Sequence, residues 1–246
     1  MSISHYYDLC LTHKDWTHGD LRQALEFVTG MGPADMLEIG CGIGDIVSHL
    51  PTDIRFTGLD PSEYAVEQAR MRYPGQSFVT GFAESLPFEE KSYDLVFSYQ
   101  TVQSFRDPRR ALEEIARVTR PGGYTLLISP NLECPWGAIN ATRHYGTLQR
   151  IRFIAGRFKD LAFRFFGHSA FRLIPESHME ATGVFERKDD DLKHVVSAWE
   201  VVRFLESHRF RDIGSRTAKR VWMRKVGPLR YYGGGMYVLL QKVAQS

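Results

Sequence analysis

The segment from Met36 to Gly44 places three glycines at every second position directly after a short apolar run. The apolar residues around the turn keep the spacing of a strand before it and of a helix after it: Leu37, Ile39, Ile46, Val47 and Leu50. This pattern predicts a strand, a tight turn and a helix. Because glycine adopts positive φ and carries no Cβ, such a turn lets a ligand lie against the backbone. The segment therefore predicts a cofactor site.

Two other interpretations of the turn compete with this one. A dinucleotide site would have a third glycine at position 45, where this chain has Asp45. Since that carboxylate would face the pyrophosphate, the sequence disfavours NAD. A glycine-rich turn that binds no ligand is the other alternative, and a lone G-x-G pattern does not exclude it.

The segment from Ile54 to Asp60 reads as a second strand that ends in a carboxylate. A carboxylate at the tip of the second strand of a βαβ unit is placed to accept hydrogen bonds from the vicinal hydroxyls of a ribose. We therefore expect Asp60 to bind the sugar of a cofactor.

Five motifs occur in order along the chain: Glu38–Gly44, Gly58–Ser62, Gly81–Phe88, Tyr93–Ser98 and Arg120–Gly123. In order and spacing they resemble the class I S-adenosylmethionine-dependent methyltransferases of the type 11-like kind. The resemblance covers about residues 20–130 and becomes general beyond them.

The resemblance implies a single domain over residues 1–246 with an α/β fold and the cofactor S-adenosylmethionine. The expected sheet is doubly wound, mostly parallel and seven-stranded, with a helical lid inserted at 131–196 after the fifth strand. The implied cofactor-binding residues are Tyr7, Glu38, Gly40, Cys41, Gly42, Gly44, Asp60, Pro61, Ser62, Ala83, Glu84 and Ser98. Ala83 and Glu84 would lie beside the adenine, although Glu84 fits a solvated loop acid as well. Tyr6 and Tyr7 would close over the cofactor or pack the N-terminal arm onto the core.

Local patterns predict the elements that follow the turn. Asp107 and Pro108 predict the cap and first turn of a helix, and the turn at 121–123 leads to a strand at 124–129. The capping box at 197–200 predicts a helix over 201–208. Apolar runs at 210–217 and 236–243 predict an antiparallel pair that ends the sheet.

Composition restricts the compartment and the partners. The chain of 246 residues has a formal net charge of only +2, which gives no reason to expect nucleic acid. Cys10, Cys41 and Cys134 are odd in number and widely spaced, so we expect neither a disulfide framework nor a metal site. The N-terminus lacks the pattern of a signal peptide, and we expect a soluble, cytoplasmic protein.

The segment 143–172 is basic and aromatic, with seven Lys or Arg residues against the single acid Asp160. Apolar residues share one face of a predicted amphipathic helix there: Ile151, Ile154, Phe158, Leu161 and Phe165. Three interpretations remain open. The helix covers the core, or it forms a lid over an anionic or apolar small-molecule acceptor, or residues 149–172 contact a membrane or lipid.

The chemistry expected of the site is direct displacement at the methyl of a sulfonium, which mainly requires alignment and exclusion of water. Gln103 and Ser104 stand where many relatives carry histidine, so the sequence identifies no clear general base. The candidates for acid–base work or acceptor contact are Gln103, His144, Tyr145, His178, Glu180 and His194. A methyltransferase acting on a small-molecule or lipid-like acceptor is the leading hypothesis. A non-catalytic scaffold that keeps the cofactor site is the alternative.

Overall fold

The computed structural model describes residues 19–32, 34–131, 146–148, 151–153, 155–156, 159, 171, 196–215 and 235–244. The strands in these ranges are β1 Ala34–Ile39, β2 Ile54–Asp60, β3 Ser77–Thr80, β4 Tyr93–Tyr99, β5 Thr119–Pro130, β6 Phe210–Asp212 and β7 Gly235–Lys242. They form one sheet in the order β3-β2-β1-β4-β5-β7-β6. Strands β1 to β5 pair in parallel, whereas β7 is antiparallel to both of its neighbours. The predicted mostly parallel seven-stranded sheet is confirmed.

Four α-helices have both ends within the described residues: α1 Gly19–Met31, α2 Glu63–Arg72, α3 Pro108–Val118 and α4 Ala198–Ser207. Three of them begin after a side chain that accepts a hydrogen bond from an N–H in the first turn. These caps are Ser62 for α2, Asp107 for α3 and Ser197 for α4. Each cap satisfies one of the N–H groups that a helix start leaves without an intrahelical partner.

The helices cover both faces of the sheet. One buried cluster joins residues of α1 and α2 to the sheet, and a second cluster joins residues of α3 and α4 to its other face. Met36 and Leu37, adjacent in β1, belong to different clusters. Leu95 and Val96 in β4 are divided in the same way, and burial on both faces explains why β4 reads as a nearly continuous apolar run.

An ion-pair network holds the amino ends of four strands together. Arg55 on β2 donates from Nε to Oδ1 of Asp35 on β1 at 2.6 Å. Arg120 on β5 donates from Nη1 to Oδ2 of Asp35 at 2.8 Å and to Oδ2 of Asp94 on β4 at 2.7 Å. The hydrogen bond from Arg55, reinforced by Arg120, lowers the pKa of the Asp35 carboxyl to about 2. This network stabilises the edge of the sheet opposite to the predicted site.

The segment after the glycine turn differs from its prediction. It forms only a short 3-10 helix, Asp45–His49, and not an α-helix. Leu50 follows in an extended conformation, with ψ 146°. Pro51 comes next, and a proline disfavours the helical conformation in the residue before it. The predicted helix is therefore present, but it has 3-10 geometry and ends before Pro51.

The predicted turn at 121–123 is also wrong. Strand β5 runs without interruption from Thr119, and its pairing with β4 shifts register between Tyr93 and Leu95. Gly122 has φ +83°, and a Cβ on Gly123 would lie 2.9 Å from the carbonyl oxygen of Asp94. The glycines thus serve an irregularity inside a strand, which a Pro-Gly-Gly sequence does not distinguish from a turn.

The last elements keep their predicted order but change their bounds. Helix α4 begins at Ala198, three residues earlier than predicted, because Ser197 itself is the cap. Strand β6 has only three residues, Phe210–Asp212, and pairs antiparallel with β7 as predicted. The side chain of Asp212 accepts hydrogen bonds from the N–H groups of Gly214 and Ser215, which turns the chain out of the strand.

The predicted lid at 131–196 lies largely outside the described residues. Its described residues between 147 and 159 are helical, and among them Leu148 and Ile151 are 75% and 58% exposed. Ile151 therefore does not face the core, whereas the other four residues of the predicted apolar face lie outside the described residues. Phe171 is buried, and its ring packs edge-to-face on Phe204 of α4 at 5.6 Å. No helix within the described ranges is long and apolar enough to cross a bilayer.

Candidate functional site

The glycine turn is bound to the end of β2 by main-chain hydrogen bonds. The N–H groups of Gly40 and Cys41 both donate to the carbonyl of Leu59, at 2.7 and 3.1 Å. The N–H of Gly44 donates to the carbonyl of Cys41 at 3.0 Å, which closes the turn. The predicted turn therefore lies at the carboxyl edge of the sheet, where open α/β sheets bind ligands.

Each glycine of the turn has a left-handed φ, and two of them also have close neighbours. Gly40 has φ +76°, and a Cβ there would lie 2.6 Å from the Cβ of Thr101. Gly44 has φ +82°, and a Cβ there would lie 3.0 Å from a ring carbon of Phe78. Gly42 has φ +54°. Two of the three glycines are thus required by packing within the protein, a reason that the sequence does not reveal.

Asp60 links the turn to the start of α2. Its side chain is buried at the end of β2, where Oδ2 accepts the N–H of Gly42 and Oδ1 accepts the N–H of Ser62, both at 2.9 Å. A carboxylate accepts hydrogen bonds at both oxygens and has about four lone-pair sites in all. Its acceptor-only chemistry fits the vicinal hydroxyls of a ribose. The neighbouring Pro61 is exposed.

Three other predicted cofactor residues have side chains within the sheet. Cys41 is fully buried, and its Sγ would be 2.8 Å from a Cβ on Gly58 of β2, so its side chain packs inward. Ser98 is fully buried and donates from Oγ to the carbonyl of Ile39 at 3.0 Å, which ties β4 to β1. Glu38 is 2% exposed in β1. The cofactor contacts of these three residues remain predictions. Because the side chain of Cys41 packs inward, any such contact of Cys41 would involve its backbone.

The loop after β3 is held by two carboxylates. Glu84, predicted beside adenine or in solvent, accepts with Oε1 from the N–H groups of Arg106 and Asp107, at 2.7 and 3.2 Å. Glu114 on α3, which the sequence analysis missed, accepts the N–H of Leu86 at 2.8 Å. Ala83 between these anchors is buried. The signal that could have found Glu114 is its place among the apolar residues of the predicted helix, where an acid needs a partner.

Gln103 fixes the loop after β4 through both ends of its amide. Its Nε2 donates to the carbonyl of Gln100 at 2.5 Å, and its Oε1 accepts from Oγ of Ser129 at 2.6 Å. Gln100 has φ +55°, and the loop that follows brings Thr101 against Gly40. Gln103 is therefore engaged in shaping this loop. Its predicted contact with acceptor or cofactor remains a prediction.

Several predicted site residues lie outside the described residues: Tyr6, Tyr7, His144, Tyr145, His178, Glu180 and His194. The structure brings together the glycine turn, Asp60, Ser62 and the loop from Gly81 to Glu84 at one edge of the sheet. Within the described ranges, no group of three His, Cys, Asp or Glu side chains is arranged to hold a metal ion.

Comparison with known proteins finds similarity to methyltransferases over part of the chain. A family model described as a methyltransferase domain, of type 11, matches residues 37–127. The phthiotriol/phenolphthiotriol dimycocerosates methyltransferase of Mycobacterium tuberculosis is 38% identical over 99 residues, which span 38% of this chain and 37% of that protein. The demethylmenaquinone methyltransferase of Chlorobaculum tepidum is 30% identical over 117 residues, 47% of this chain and 48% of that one. The chain thus matches less than half the length of these relatives.

Solved structures share the fold over most of the chain. An S-adenosylmethionine-dependent methyltransferase from Mesorhizobium loti has a TM-score of 0.58 at 16% identity, covering 93% of this chain and 100% of that one. The [4+2]-cyclase SpnF has a TM-score of 0.57 at 16% identity, covering 95% of this chain and 86% of that one. Residues 37–127 therefore match a methyltransferase domain, and the chain shares the fold of these solved structures. The likeness to a cyclase shows that the fold alone does not establish the reaction.

Proposed function

We propose that this chain transfers a methyl group from S-adenosylmethionine to a small-molecule or lipid-like acceptor. The observation that carries the proposal is Asp60, a buried carboxylate that binds the glycine turn on one side and the start of α2 on the other. This arrangement, in a domain that matches a methyltransferase family, fits a ribose between the turn and β3. The cofactor supplies a methyl group activated on a sulfonium.

The residues of the site have separate tasks in this proposal. Asp60 accepts hydrogen bonds from the ribose hydroxyls, and the backbone of the turn at 40–44 leaves space for the tail of the cofactor. The loop at 99–105, shaped by Gln103, faces the acceptor. Held by Asp60 and the turn at 40–44, S-adenosylmethionine would supply an electrophilic methyl carbon whose leaving group is a neutral sulfide. An acceptor with an ionised oxygen or a neutral amine reacts without a general base at the moment of attack.

The nature of the acceptor is suggested by the segment that includes Leu148 and Ile151. Both side chains are exposed, beside the exposed Arg152 and Lys159. Exposed apolar side chains among cations suit contact with an apolar acceptor or an anionic lipid surface. The names of the two relatives also specify bulky organic acceptors, a dimycocerosate and a menaquinone precursor. We propose that this segment contacts a lipid-like acceptor or the membrane that contains it.

Calorimetry with S-adenosylhomocysteine tests the cofactor site. Asp60→Asn keeps one acceptor oxygen but loses the charge, so we expect at least tenfold weaker binding, since hydrogen bonds to charged groups contribute about 1.5–3 kcal/mol each. The exposed Asp53→Asn is the matched control and should bind as the wild type does. Absence of binding by the wild type, or equal binding by both variants, contradicts the proposal. Binding without methyl transfer to any of a panel of phenols, quinols, acids and lipid extracts supports the scaffold alternative.

Sedimentation with vesicles tests the lipid proposal. Leu148→Gln combined with Ile151→Gln should reduce co-sedimentation with vesicles of 70% phosphatidylcholine and 30% phosphatidylglycerol. Met71→Gln, which changes an exposed apolar residue on α2, is the control. Binding of the wild type should also fall as salt screens the basic residues. Equal sedimentation of the wild type and the double variant contradicts the membrane contact.

A further inference from the structure

Strand β3 forms one edge of the sheet. In the described part of the chain, β2 is its one strand neighbour, and the two strands pair in parallel. An open edge strand presents backbone N–H and C=O groups to which a strand of another chain can pair. The groups that cover this edge therefore bear on whether the protein associates through its sheet.

The backbone of β3 alternates between its two sides. The N–H of Gly81, directly after the strand, donates to the carbonyl of Asp60 at 3.1 Å, so it faces β2. Because the N–H and C=O groups of successive residues in a strand point to opposite sides, those of Val79 also face β2. The backbone groups of Phe78 and Thr80 therefore point away from the sheet.

Two side chains cover backbone groups along this edge. Gln76 precedes β3, and its Oε1 accepts the N–H of Phe56 on β2 at 3.3 Å, at a point that β3 does not reach. Arg70, in the last turn of α2, donates from Nε and Nη2 to the carbonyl of Phe78, at 3.1 and 2.6 Å. A carbonyl oxygen has two lone pairs, so the planar guanidinium leaves this oxygen no capacity for a second strand.

We infer that Arg70 closes the outer edge of β3 against pairing with a second copy of this chain. In an antiparallel pair of β3 strands centred on Val79, Phe78 of one copy would exchange hydrogen bonds with Thr80 of the other copy, and the symmetric contact would add the same again. Arg70 already occupies the carbonyl of Phe78, so each of these contacts loses an acceptor.

The second copy is the relevant partner because the helix beside this edge is self-complementary in charge. Helix α2 packs on β2 and β3. Its exposed side chains include Glu63 and Glu67 in the first half and Arg70 and Arg72 in the second half. In the antiparallel pair, the α2 helices of the two copies would lie side by side in opposite directions, with acidic halves against basic halves. These charges do not keep two copies apart, whereas the contact of Arg70 with β3 does.

Sedimentation velocity of the full chain tests the inference. The wild type should sediment as one chain up to millimolar concentration, whereas the mass of Arg70→Ala should double over the same range. Arg72→Ala is the matched control, because it removes another exposed arginine from the same end of α2 and should sediment as the wild type does. Adding Thr80→Pro to Arg70→Ala removes an N–H that points away from β2, and this double variant should return to the mass of one chain.

Hydrogen exchange of the peptide that contains residues 77–80 locates the contact. In Arg70→Ala the amides of Phe78 and Thr80 should exchange more slowly as the protein concentration rises, and in the wild type their rates should not change. The inference is overturned if Arg70→Ala remains a single chain, if it associates without slower exchange in this peptide, or if the wild type itself pairs through β3. Because these measurements need no cofactor, their outcome is independent of the proposed function.

Discussion

Replacing Glu114 with glutamine tests whether one ion pair fixes the loop beside the site. Glu114 is 8% exposed, and its Oε2 accepts the N–H of Leu86 and Nη2 of Arg117, both at 2.8 Å. Its Oε1 accepts Nε of Arg117 at 2.8 Å. Arg117 continues the link by donating to the carbonyls of Leu86 and Phe88, at 3.0 and 2.8 Å. The hydrogen bond from Arg117 lowers the pKa of Glu114, so the carboxylate is ionised at neutral pH.

The size of the effect follows from what glutamine keeps and loses. It retains an acceptor oxygen for Leu86 but turns an NH₂ group toward Arg117, which loses its counter-ion. Breaking a buried ion pair costs about 3–5 kcal/mol, and hydrogen bonds to charged groups contribute about 1.5–3 kcal/mol. Since the Arg117 side chain is 34% exposed, water replaces part of the loss. We expect the free energy of unfolding to fall by about 2–3 kcal/mol. If this free energy decreases by about 3 kcal/mol per molar urea, the urea midpoint falls by about 0.7–1 M.

Urea unfolding of Glu114→Gln and Glu113→Gln gives a matched comparison. Glu113 precedes Glu114 on α3, but its side chain is 47% exposed. Its Oε2 lies 3.8 Å from Nη1 of Arg110. A surface substitution of this kind changes stability by about 0.5 kcal/mol or less. We also expect Glu114→Gln to weaken S-adenosylhomocysteine binding, because Leu86 belongs to the loop in which Ala83 and Glu84 are predicted to lie beside the adenine. Equal midpoints for the two variants would refute the assignment of Glu114 as the anchor of this loop.

Two further predictions concern the turn and the amino edge of the sheet. Gly40→Ala should destabilise the protein because the new Cβ would overlap with Thr101, and Thr101→Gly should restore part of the lost stability. A double-mutant cycle of urea unfolding should give a coupling free energy of about 1 kcal/mol or more. Additive effects of the two substitutions would contradict the contact. Asp35→Asn should cost about 1–2 kcal/mol at pH 7, allowing for solvent around the exposed Arg55. Because the folded pKa of about 2 lies below the usual 3.8, this cost should persist above pH 4 and shrink as pH falls toward 2. A pH-independent cost would contradict it, and Asp53→Asn is the control.

The sequence predicted most of the fold because its elements have local signals. The helix capped by Asp107 has its predicted start, and the strand from Ile54 to Asp60 has its predicted start and end. Errors arose where one residue type serves two purposes. Glycine after proline marks a turn as readily as a bulge, and in β5 close approach to Asp94 decides between them. Pairing between strands distant in the sequence determines that outcome, and no local pattern contains it.

The candidate site was predicted by residue type but only partly by contact. Asp60 lies at the end of β2 and binds the turn as expected of its position, whereas Cys41 and Ser98 direct their side chains into the sheet. The contacts of Thr101 with Gly40 and of Glu114 with Leu86 join segments that are 61 and 28 residues apart. Such contacts depend on how loops meet at the sheet edge. They were therefore beyond what spacing along the chain can indicate.

Carboxylates at the carboxyl edge act on the protein backbone as well as on any ligand. Asp60, Glu84 and Glu114 each accept at least one main-chain N–H from another loop or from the next helix. Loop N–H groups that are partly shielded from water need acceptors, and an ionised carboxylate satisfies two or more of them at once. A variant of any of these acids can therefore weaken cofactor binding by displacing a loop. Loss of binding identifies a direct contact only when stability stays unchanged.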